Sequence, residues 1–490
     1  MNYSLLTIEI LVTLLGLGVL LADLWVPASS RRLIGYGAAT LAGIILTYAI
    51  GGAAPADGTA FGGMFLVDAM SNLFKGLFLL AAVVVLLLSL DWSEKLVGYA
   101  EYCALMLFAL VGMLFAASAN DFILMFVALE LITITFYILV SFQRNKAGSI
   151  EAGVKYLILG AVASGFMVFG TALIFGAANT TNFFEIAAQQ AELAKSPLFL
   201  TGLLLAVVGL GFKIAAFPFQ MWAPDVYQGA PAPTVAFLAT GSKAAGFVLL
   251  LRIAFGVVPE LTAQWSKLFL GLGIVTILYG SLCAIPQRSV KRIMGYSSIA
   301  NAGFLLLGIA AASLNGSAAV MTYLAGYVFT VLAAFAAISV VVAHTDSDDI
   351  SAFAGLGRRS AWLATALTVG MVSLAGIPPL AGFFAKFYLL RSVADHVAAD
   401  RAYLIALLVA CAGVVISLYY YFGVLRSAFF PRNAADLSPI AVSGTTKVAI
   451  LLAIAGTVYL GVEPEPLVKS AKQAAAGLSV LPVTSQTAAK

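Results

Sequence analysis

Long apolar stretches separated by short polar ones run through the whole chain. A helix needs about 20 apolar residues to cross a bilayer, and windows of that length predict about fourteen membrane spans. Numbered span 1 to span 14, they are 4–25, 33–50, 73–90, 100–118, 121–142, 152–176, 198–218, 231–255, 266–285, 291–312, 318–343, 361–390, 402–430 and 445–462. The pattern therefore predicts an all-α polytopic membrane protein. Residues 181–197 are too polar to span and predict a surface helix, and the tail from Pro464 predicts a short helix followed by disorder.

Prolines interrupt two of these spans. Pro218 lies at the end of span 7, and Pro378 and Pro379 lie within span 12. Proline removes a backbone hydrogen bond, and at membrane depth the freed carbonyl groups need water or polar protein partners. An acid-and-proline loop containing Pro224 and Asp225 is predicted after the break in span 7.

The composition leaves almost no room for a soluble domain. The chain has 490 residues, of which 62% are hydrophobic and 10% charged, against about 25% charged residues in an ordinary globular domain. Three scattered cysteines and the lack of a nucleotide-binding glycine motif predict no redox cofactor on this chain. The small net charge of +4, with no basic run, predicts no nucleic-acid partner.

Basic residues are unevenly distributed between the two sides of the predicted membrane domain. Those that follow spans 1, 5, 9, 11 and 13 would share one side, and they are Arg31, Arg32, Arg144, Lys146, Arg288, Lys291, Arg292, Arg358, Arg359, Arg426 and Arg432. The opposite side keeps chiefly Lys195, Arg252, Lys267 and Arg401. By the positive-inside rule, both termini are predicted on the non-cytoplasmic side.

The spans also suggest internal repetition. Spans 4–8 and 9–13 form two groups of five, each with one interrupted span, and an odd number of crossings makes the second group inverted relative to the first. Broken helices in corresponding positions of inverted repeats point to a transport site near the midplane. The predicted segments are 1–99, with three spans; 100–257 and 260–431, the two repeats; and 440–490, the last span with a short tail.

Ionisable residues inside the predicted spans are the candidate functional groups. Glu130, Lys213, Lys243 and Lys386 lie well within spans 5, 7, 8 and 12, and Lys155 lies nearer an end of span 6. A charge at the centre of a membrane helix costs roughly 2.5–3.5 kcal/mol on insertion scales. Burial and a nearby carboxylate shift the pKa of lysine in opposite directions, so a lysine and a carboxylate that move relative to each other can exchange a proton. We therefore expect Glu130 to be the partner of Lys213, Lys243 to be the next carrier and Lys386 the last.

Several long motifs resemble one known family, the antiporter-like membrane subunits of respiratory complex I, which are related to subunits of multi-subunit cation/proton antiporters. The matching stretches are GFKIAAFPFQMWAPDVYQGAPAP around Lys213, FVALELITITFYIL around Glu130, EAGVKYLILGA around Lys155, TGSKAAGF around Lys243, SVKRIMGYSSIANAGF around Lys291 and SLAGIPPLAGFFAKFYLL around Lys386. The first of these, with its VYQGAP, resembles the N-type subunit. The resemblance covers essentially the whole chain.

The resemblance implies a function and a set of partners. It implies a proton-translocating subunit of NADH:quinone oxidoreductase in a bacterial cytoplasmic membrane, with a relay of Glu130, Lys213, Lys243 and Lys386 and with Lys155 and Lys291 as further candidates for relay or proton uptake. Flavin and iron–sulfur clusters are implied on partner subunits, quinone as a substrate of the complex, and neighbouring antiporter-like and small membrane subunits as partners. Family members often carry histidine where this chain has Gln220 and Asn301, so water would have to bridge those gaps.

Two other functions remain open from the sequence. A sodium/proton antiporter subunit of a stand-alone complex would use the same lysines and glutamate. A scaffold subunit would use its buried charges only to hold helices together, with lysines near helix ends extending to the membrane interface.

Overall fold

The computed structural model describes residues 2–27, 30–52, 57–430 and 437–479. Within those ranges, thirteen helices are long and apolar enough to cross a membrane, and two shorter helices together make a further crossing. In span order the helices are Tyr3–Ala22, Arg32–Ile50, Ala69–Trp92, Tyr99–Ser118, Phe122–Val140, Ala147–Ala178, Pro197–Ile214 with Trp222–Gly229, Ala232–Val257, Pro259–Ala284, Val290–Ala310, Leu314–Thr345, Ala361–Ala375 with Ala381–Ala394, Arg401–Phe429 and Gly444–Val462. The predicted all-α multi-pass fold is confirmed. Arg432 and the predicted disordered end, residues 480–490, lie outside the described residues.

Three spans form the centre of the molecule. In spans 8 and 10, every residue of the most apolar membrane-crossing stretch is buried inside the protein, and in span 11 the buried share of that stretch is 94%. Spans 6, 13 and 14 are only 28% buried over the same length, so they line the outside. Side chains that project from spans 8, 10 and 11 therefore meet one another inside the protein, away from the lipid-facing surface.

Span 7 is broken between Ile214 and Trp222. Its first helix ends at Ile214 because Ala215 takes the left-handed conformation (φ 57°), a common way to terminate a helix, and Pro218 lies in the link that follows. The predicted loop around Pro224 and Asp225 is wrong, since the chain forms a second helix there. Pro224 is the third residue of that helix, where a missing N–H leaves no intrahelical bond unmade.

Span 12 has the same construction. Its first helix ends at Ala375, Gly376 follows with φ 84°, and Pro378 and Pro379 lie in the link before the second helix begins at Ala381. Each broken span is the fourth of its group of five, as the repeat hypothesis requires. The four segment boundaries remain a prediction.

Span 8 is continuous but irregular. It is α-helical over Ala232–Phe237 and Lys243–Leu251, and π-helical over Leu238–Ser242 and Arg252–Val257. Lys243 follows the first π-helical turn directly. Such turns inside α-helices are frequent at functional sites.

Several smaller elements lie between and after the spans, among them the short helices Ile350–Phe353 and Leu356–Arg359 that precede span 12. A hairpin of β1 (Gly58–Ala60) and β2 (Phe65–Val67) precedes span 3; its strands are too short to show an alternating pattern in the sequence. The surface helix predicted at 181–197 is two short helices, Phe183–Ala188 and Gln190–Leu193. The tail helix, Glu465–Ser479, packs against spans 3 and 11.

Candidate functional site

Lys213 lies inside an aromatic cluster at the break in span 7. Its side chain is 5% exposed, and Nζ lies 6.0 Å from the ring centroid of Tyr156. Tyr156, Phe212 and Trp222 pack together with centroid separations of 4.8–5.8 Å, and Trp222 Nε1 donates to Phe212 O (2.9 Å), one of the carbonyls freed by the break. Among the described residues, none hydrogen-bonds Lys213 Nζ.

Glu130, the expected partner of Lys213, lies at the edge of the site. It is half-buried in span 5, and Ser164 Oγ donates to its Oε1 (2.5 Å). Its carboxylate acts electrostatically on Lys213. The two residues therefore influence each other across span 5 and span 7, while the direct hydrogen bond of Glu130 goes to span 6.

The helices of Lys213 and Lys243 pack closely at a glycine of span 8. A Cβ added to Gly246 would lie 3.3 Å from Lys213 Cβ and 2.9 Å from Ile214 Cγ2. Gly246 is three residues after Lys243, on the same side of span 8. Only a residue without a side chain permits this close packing of spans 7 and 8.

Lys243 is bound by a single serine of span 10. Its Nζ donates to Ser298 O (2.5 Å) and also to Ser298 Oγ. Tyr227, on the second helix of span 7, donates to the same Oγ (2.8 Å), and Tyr327 on span 11 interacts with Ser298 electrostatically. Three helices thus meet at one hydroxyl group.

A small cavity lies beside Lys386. It has a volume of about 10 Å³, the lower limit for one water molecule, and its polar lining residues are Asn301, Tyr323, Tyr327, Thr330, Ser373 and Lys386. Tyr323 donates to Asn301 Oδ1 (2.5 Å), and Asn301 Nδ2 donates to Ser297 O (2.9 Å). Lys386 Nζ donates to Leu374 O (2.6 Å), a carbonyl freed by the break in span 12. Hydroxyl and amide groups therefore lie beside both Lys243 and Lys386.

Lys155 belongs to a cluster of ion pairs at the end of span 6. It contacts Glu151 (2.7 Å) and Asp225 (2.8 Å), and Asp225 also binds Arg292 of span 10 (2.6 Å). Asp225 therefore joins span 6 to span 10 through two ion pairs. The side chain of Lys155 is 44% exposed, so it lies at the rim of the protein rather than among the buried lysines.

Lys291 and Arg252 are not the loop charges that the orientation argument took them for. Lys291 is 5% exposed and donates to Ala230 O (2.7 Å) where the second helix of span 7 meets span 8. Arg252 is 4% exposed and forms a bidentate pair with Asp68 (both 2.9 Å). Both residues fall at helix boundaries, where sequence patterns place a charge only to within a few residues.

The two positions where histidine was expected differ in their surroundings. Asn301 has partners on both sides, as described above. Gln220, in the link of span 7, is 2% exposed, and none of the described residues hydrogen-bonds its Oε1.

A fully buried ion pair escaped the sequence analysis. Lys75 Nζ lies 2.8 Å from Glu9 Oε1, with the two side chains 2% and 1% exposed, and the Phe65 ring centroid is 4.8 Å from Nζ. It joins spans 1 and 3, outside both repeats. Glu9 lies in span 1 and Lys75 near the predicted start of span 3, and no local sequence pattern pairs the two.

The serine and tyrosines around Lys243 also escaped the sequence analysis. The available signal was the polar sequence SSIAN in span 10, where Ser297, Ser298 and Asn301 are spaced to lie on one helix side. In the described part of the chain, no group of three or more His, Cys, Asp or Glu residues is placed to hold a metal ion.

Comparisons with known proteins agree with this arrangement. The family model described as "NADH:quinone oxidoreductase/Mrp antiporter, TM" matches residues 119–416. NADH-quinone oxidoreductase subunit N of Moorella thermoacetica is 41% identical, over 97% of this chain and 98% of the relative. A chain of respiratory complex I from Thermus thermophilus superposes with a TM-score of 0.77 at 31% identity, covering 94% of this chain and 99% of that one.

A chain of the Mrp complex from Dietzia sp. DQ12-45-1b superposes with a TM-score of 0.82 over 98% of both chains. At 19% identity, that likeness shows the fold alone. The extent and identity of the other matches decide the family. The chain belongs to the antiporter-like membrane subunits of NADH:quinone oxidoreductases and, within them, to the subunit N family.

Proposed function

We propose that this chain is the proton-translocating subunit N of a proton-pumping NADH:quinone oxidoreductase, and that Glu130, Lys213, Lys243 and Lys386 carry the protons. The observation that carries the proposal is the series of buried lysines, with Ser298 bound to Lys243 and a small cavity of hydroxyl and amide groups beside Lys386. Redox chemistry, with flavin and iron–sulfur clusters, takes place on partner subunits, and quinone is the electron acceptor of the complex. Lys155 and Lys291 are further candidates for relay or proton uptake.

The partners of the buried lysines favour a relay over a scaffold. Where a buried cation only holds helices together, a carboxylate should neutralise it, as Asp68 does for Arg252 and Glu9 for Lys75. Lys243 and Lys386 instead donate to a serine and to a backbone carbonyl. A lysine held by neutral groups can lose its proton without leaving an unpaired carboxylate behind, which suits proton transfer.

The relatives favour a dehydrogenase subunit over a stand-alone antiporter. Both the relative at 41% identity and the solved chain at 31% identity belong to NADH:quinone oxidoreductases, whereas the Mrp likeness shows the fold alone. Purification of the native complex decides between the two functions. A peripheral arm with flavin and iron–sulfur clusters should co-purify with this chain, and a complex without them would favour the antiporter.

The relay is tested with Lys213→Ala, Glu130→Ala and Lys386→Ala in the whole complex, reconstituted into vesicles. We expect each to abolish or strongly reduce proton translocation while the complex still assembles. Lys267→Ala changes an exposed lysine of span 9 and should behave as wild type. Wild-type translocation at wild-type electron-transfer rates in the first two variants would contradict the relay.

We place the chain in a bacterial cytoplasmic membrane with both termini on the non-cytoplasmic side. The charges of exposed loop residues such as Arg144 and Lys146 support this orientation, and the even number of crossings puts both termini on one side. A reporter fused to the C-terminus that is active only outside the cytoplasm tests it. Activity of a reporter that works only in the cytoplasm would reverse the orientation.

A further inference from the structure

Tyr227 connects the broken span 7 to the lysine of span 8. It lies on the second helix of span 7, is 1% exposed, and donates its hydroxyl proton to Ser298 Oγ (2.8 Å). The same oxygen accepts a hydrogen bond from Lys243 Nζ. Tyr227 is therefore linked to the proposed proton path by its hydrogen bond to Ser298, and not by a hydrogen bond to Lys243 itself.

The hydrogen bonds at Ser298 determine where its own proton points. A serine hydroxyl carries one proton and two acceptor sites. Tyr227 and Lys243 occupy both acceptor sites, so the Ser298 proton is left for a third partner. Tyr327 interacts with Ser298 and also lines the cavity of Lys386, which makes its hydroxyl the candidate for that partner.

We propose that Tyr227 is a positioning residue for proton transfer between Lys243 and Lys386, because its hydrogen bond turns the Ser298 hydroxyl towards Tyr327. This inference rests on the proposed function. Lys243 gives a proton to Ser298 Oγ, Ser298 gives its own proton to Tyr327, and Tyr327 gives its proton through the cavity to Lys386. Lys243 starts charged and ends neutral, and Lys386 starts neutral and ends charged. Ser298 and Tyr327 each gain one proton and lose one, and Tyr227 keeps its own.

The anchoring of the half-helix supports this role. Asp225, two residues before Tyr227, is paired with Arg292 of span 10 (2.6 Å) and Lys155 of span 6 (2.8 Å). Ser298 is also on span 10, so the half-helix is fixed to that span both at Asp225 and at Tyr227. A shift of the half-helix relative to span 10 would therefore separate Tyr227 from Ser298. The Ser298 proton would then no longer be directed towards Tyr327.

Tyr227→Phe removes only the hydroxyl group, and it is tested in the whole complex reconstituted into vesicles. We expect the initial rate of proton translocation to fall about fivefold, the factor that corresponds to one neutral hydrogen bond, with an unchanged amount of assembled complex on native gels. The rate ratio between H₂O and D₂O should rise, because the proton step becomes rate-limiting; a purely structural role would leave that ratio unchanged. Ser298→Thr should retain translocation and Ser298→Ala should lose it.

Tyr102→Phe is the matched control. Tyr102 is also fully buried and shares a hydrogen bond of 2.8 Å with a hydroxyl group, that of Thr234, but it lies outside the path, so we expect wild-type rates. If Tyr227→Phe fails to assemble, Tyr327→Phe tests the next hydroxyl of the same path, with the same loss expected.

Lys243→Ala in the same preparation distinguishes a failure of the proposed relay from a failure of the positioning role of Tyr227. If Lys243→Ala translocates protons at the wild-type rate, the proposed relay is wrong. If Lys243→Ala loses translocation while Tyr227→Phe, or Tyr327→Phe in its place, keeps the wild-type rate and isotope ratio, the relay stands and the positioning role is overturned.

Discussion

Removing either member of the Glu9–Lys75 pair is expected to destabilise the protein more than removing both. Two unit charges 2.8 Å apart attract each other by about 6 kcal/mol at an effective dielectric constant of about 20. Desolvation of the two ions offsets most of that energy, so the intact pair adds little net stability. Lys75→Met or Glu9→Leu alone leaves an uncompensated buried charge and should cost roughly 3–5 kcal/mol, whereas the double variant should stay close to wild type.

The assay is a double-mutant cycle on the assembled complex. Thermal midpoints of the wild type, both single variants and the double variant are measured by loss of intact complex in detergent. We expect low midpoints for the single variants and recovery in the double variant. Since the pair lies in spans 1 and 3, outside the proposed relay, proton translocation per assembled complex should be the same in the double variant as in the wild type.

Two results would refute this reasoning. A double variant as unstable as the single variants would show that the side chains act separately and not as a pair. A stable double variant that translocates fewer protons per complex would show that Glu9 and Lys75 belong to the path, and that an ion pair is no sign of a purely structural cation in this protein.

Two further predictions follow from the packing and the charges. Gly246→Ala should force spans 7 and 8 apart and reduce proton translocation, because its Cβ would lie 2.9 Å from Ile214 Cγ2. Gly271→Ala, with nothing within 4 Å of its Cβ, is the control. Equal translocation rates in the two variants would contradict the inference that spans 7 and 8 need this close packing. Asp225→Asn should lower the thermal midpoint at pH 7, because it removes the ion pairs of Asp225 with Lys155 and Arg292. In acid the wild-type carboxylate is protonated and loses the same ion pairs. The midpoint curves of the two proteins should therefore converge in acid, and parallel curves would be evidence against the ion pairs.

The sequence predicts the spans well because a crossing imposes its length and polarity on each segment separately. It also locates Lys213, Lys243 and Lys386, since a charged residue inside an apolar stretch can be recognised without knowing which residues surround it in the fold. It does not reveal the partners of those lysines. Hydroxyl residues in membrane helices commonly bond their own helix, as Thr133 does to Leu129 O (2.5 Å). The polar sequence SSIAN marks Ser298 as unusual but does not show that it binds a lysine of another span.

Asn301 and Gln220 are unequal replacements for a titrating side chain. Neither amide changes its protonation near neutral pH, so each can only position neighbouring groups. Asn301 does so, because it holds Tyr323 on one side and Ser297 on the other beside the cavity of Lys386. Gln220 Oε1 hydrogen-bonds none of the described residues, and neither does Lys213 Nζ. Within the proposed relay, Lys243 therefore has a hydroxyl partner, and Lys386 lies beside an amide and several hydroxyl groups, whereas Lys213 lies beside the ring of Tyr156.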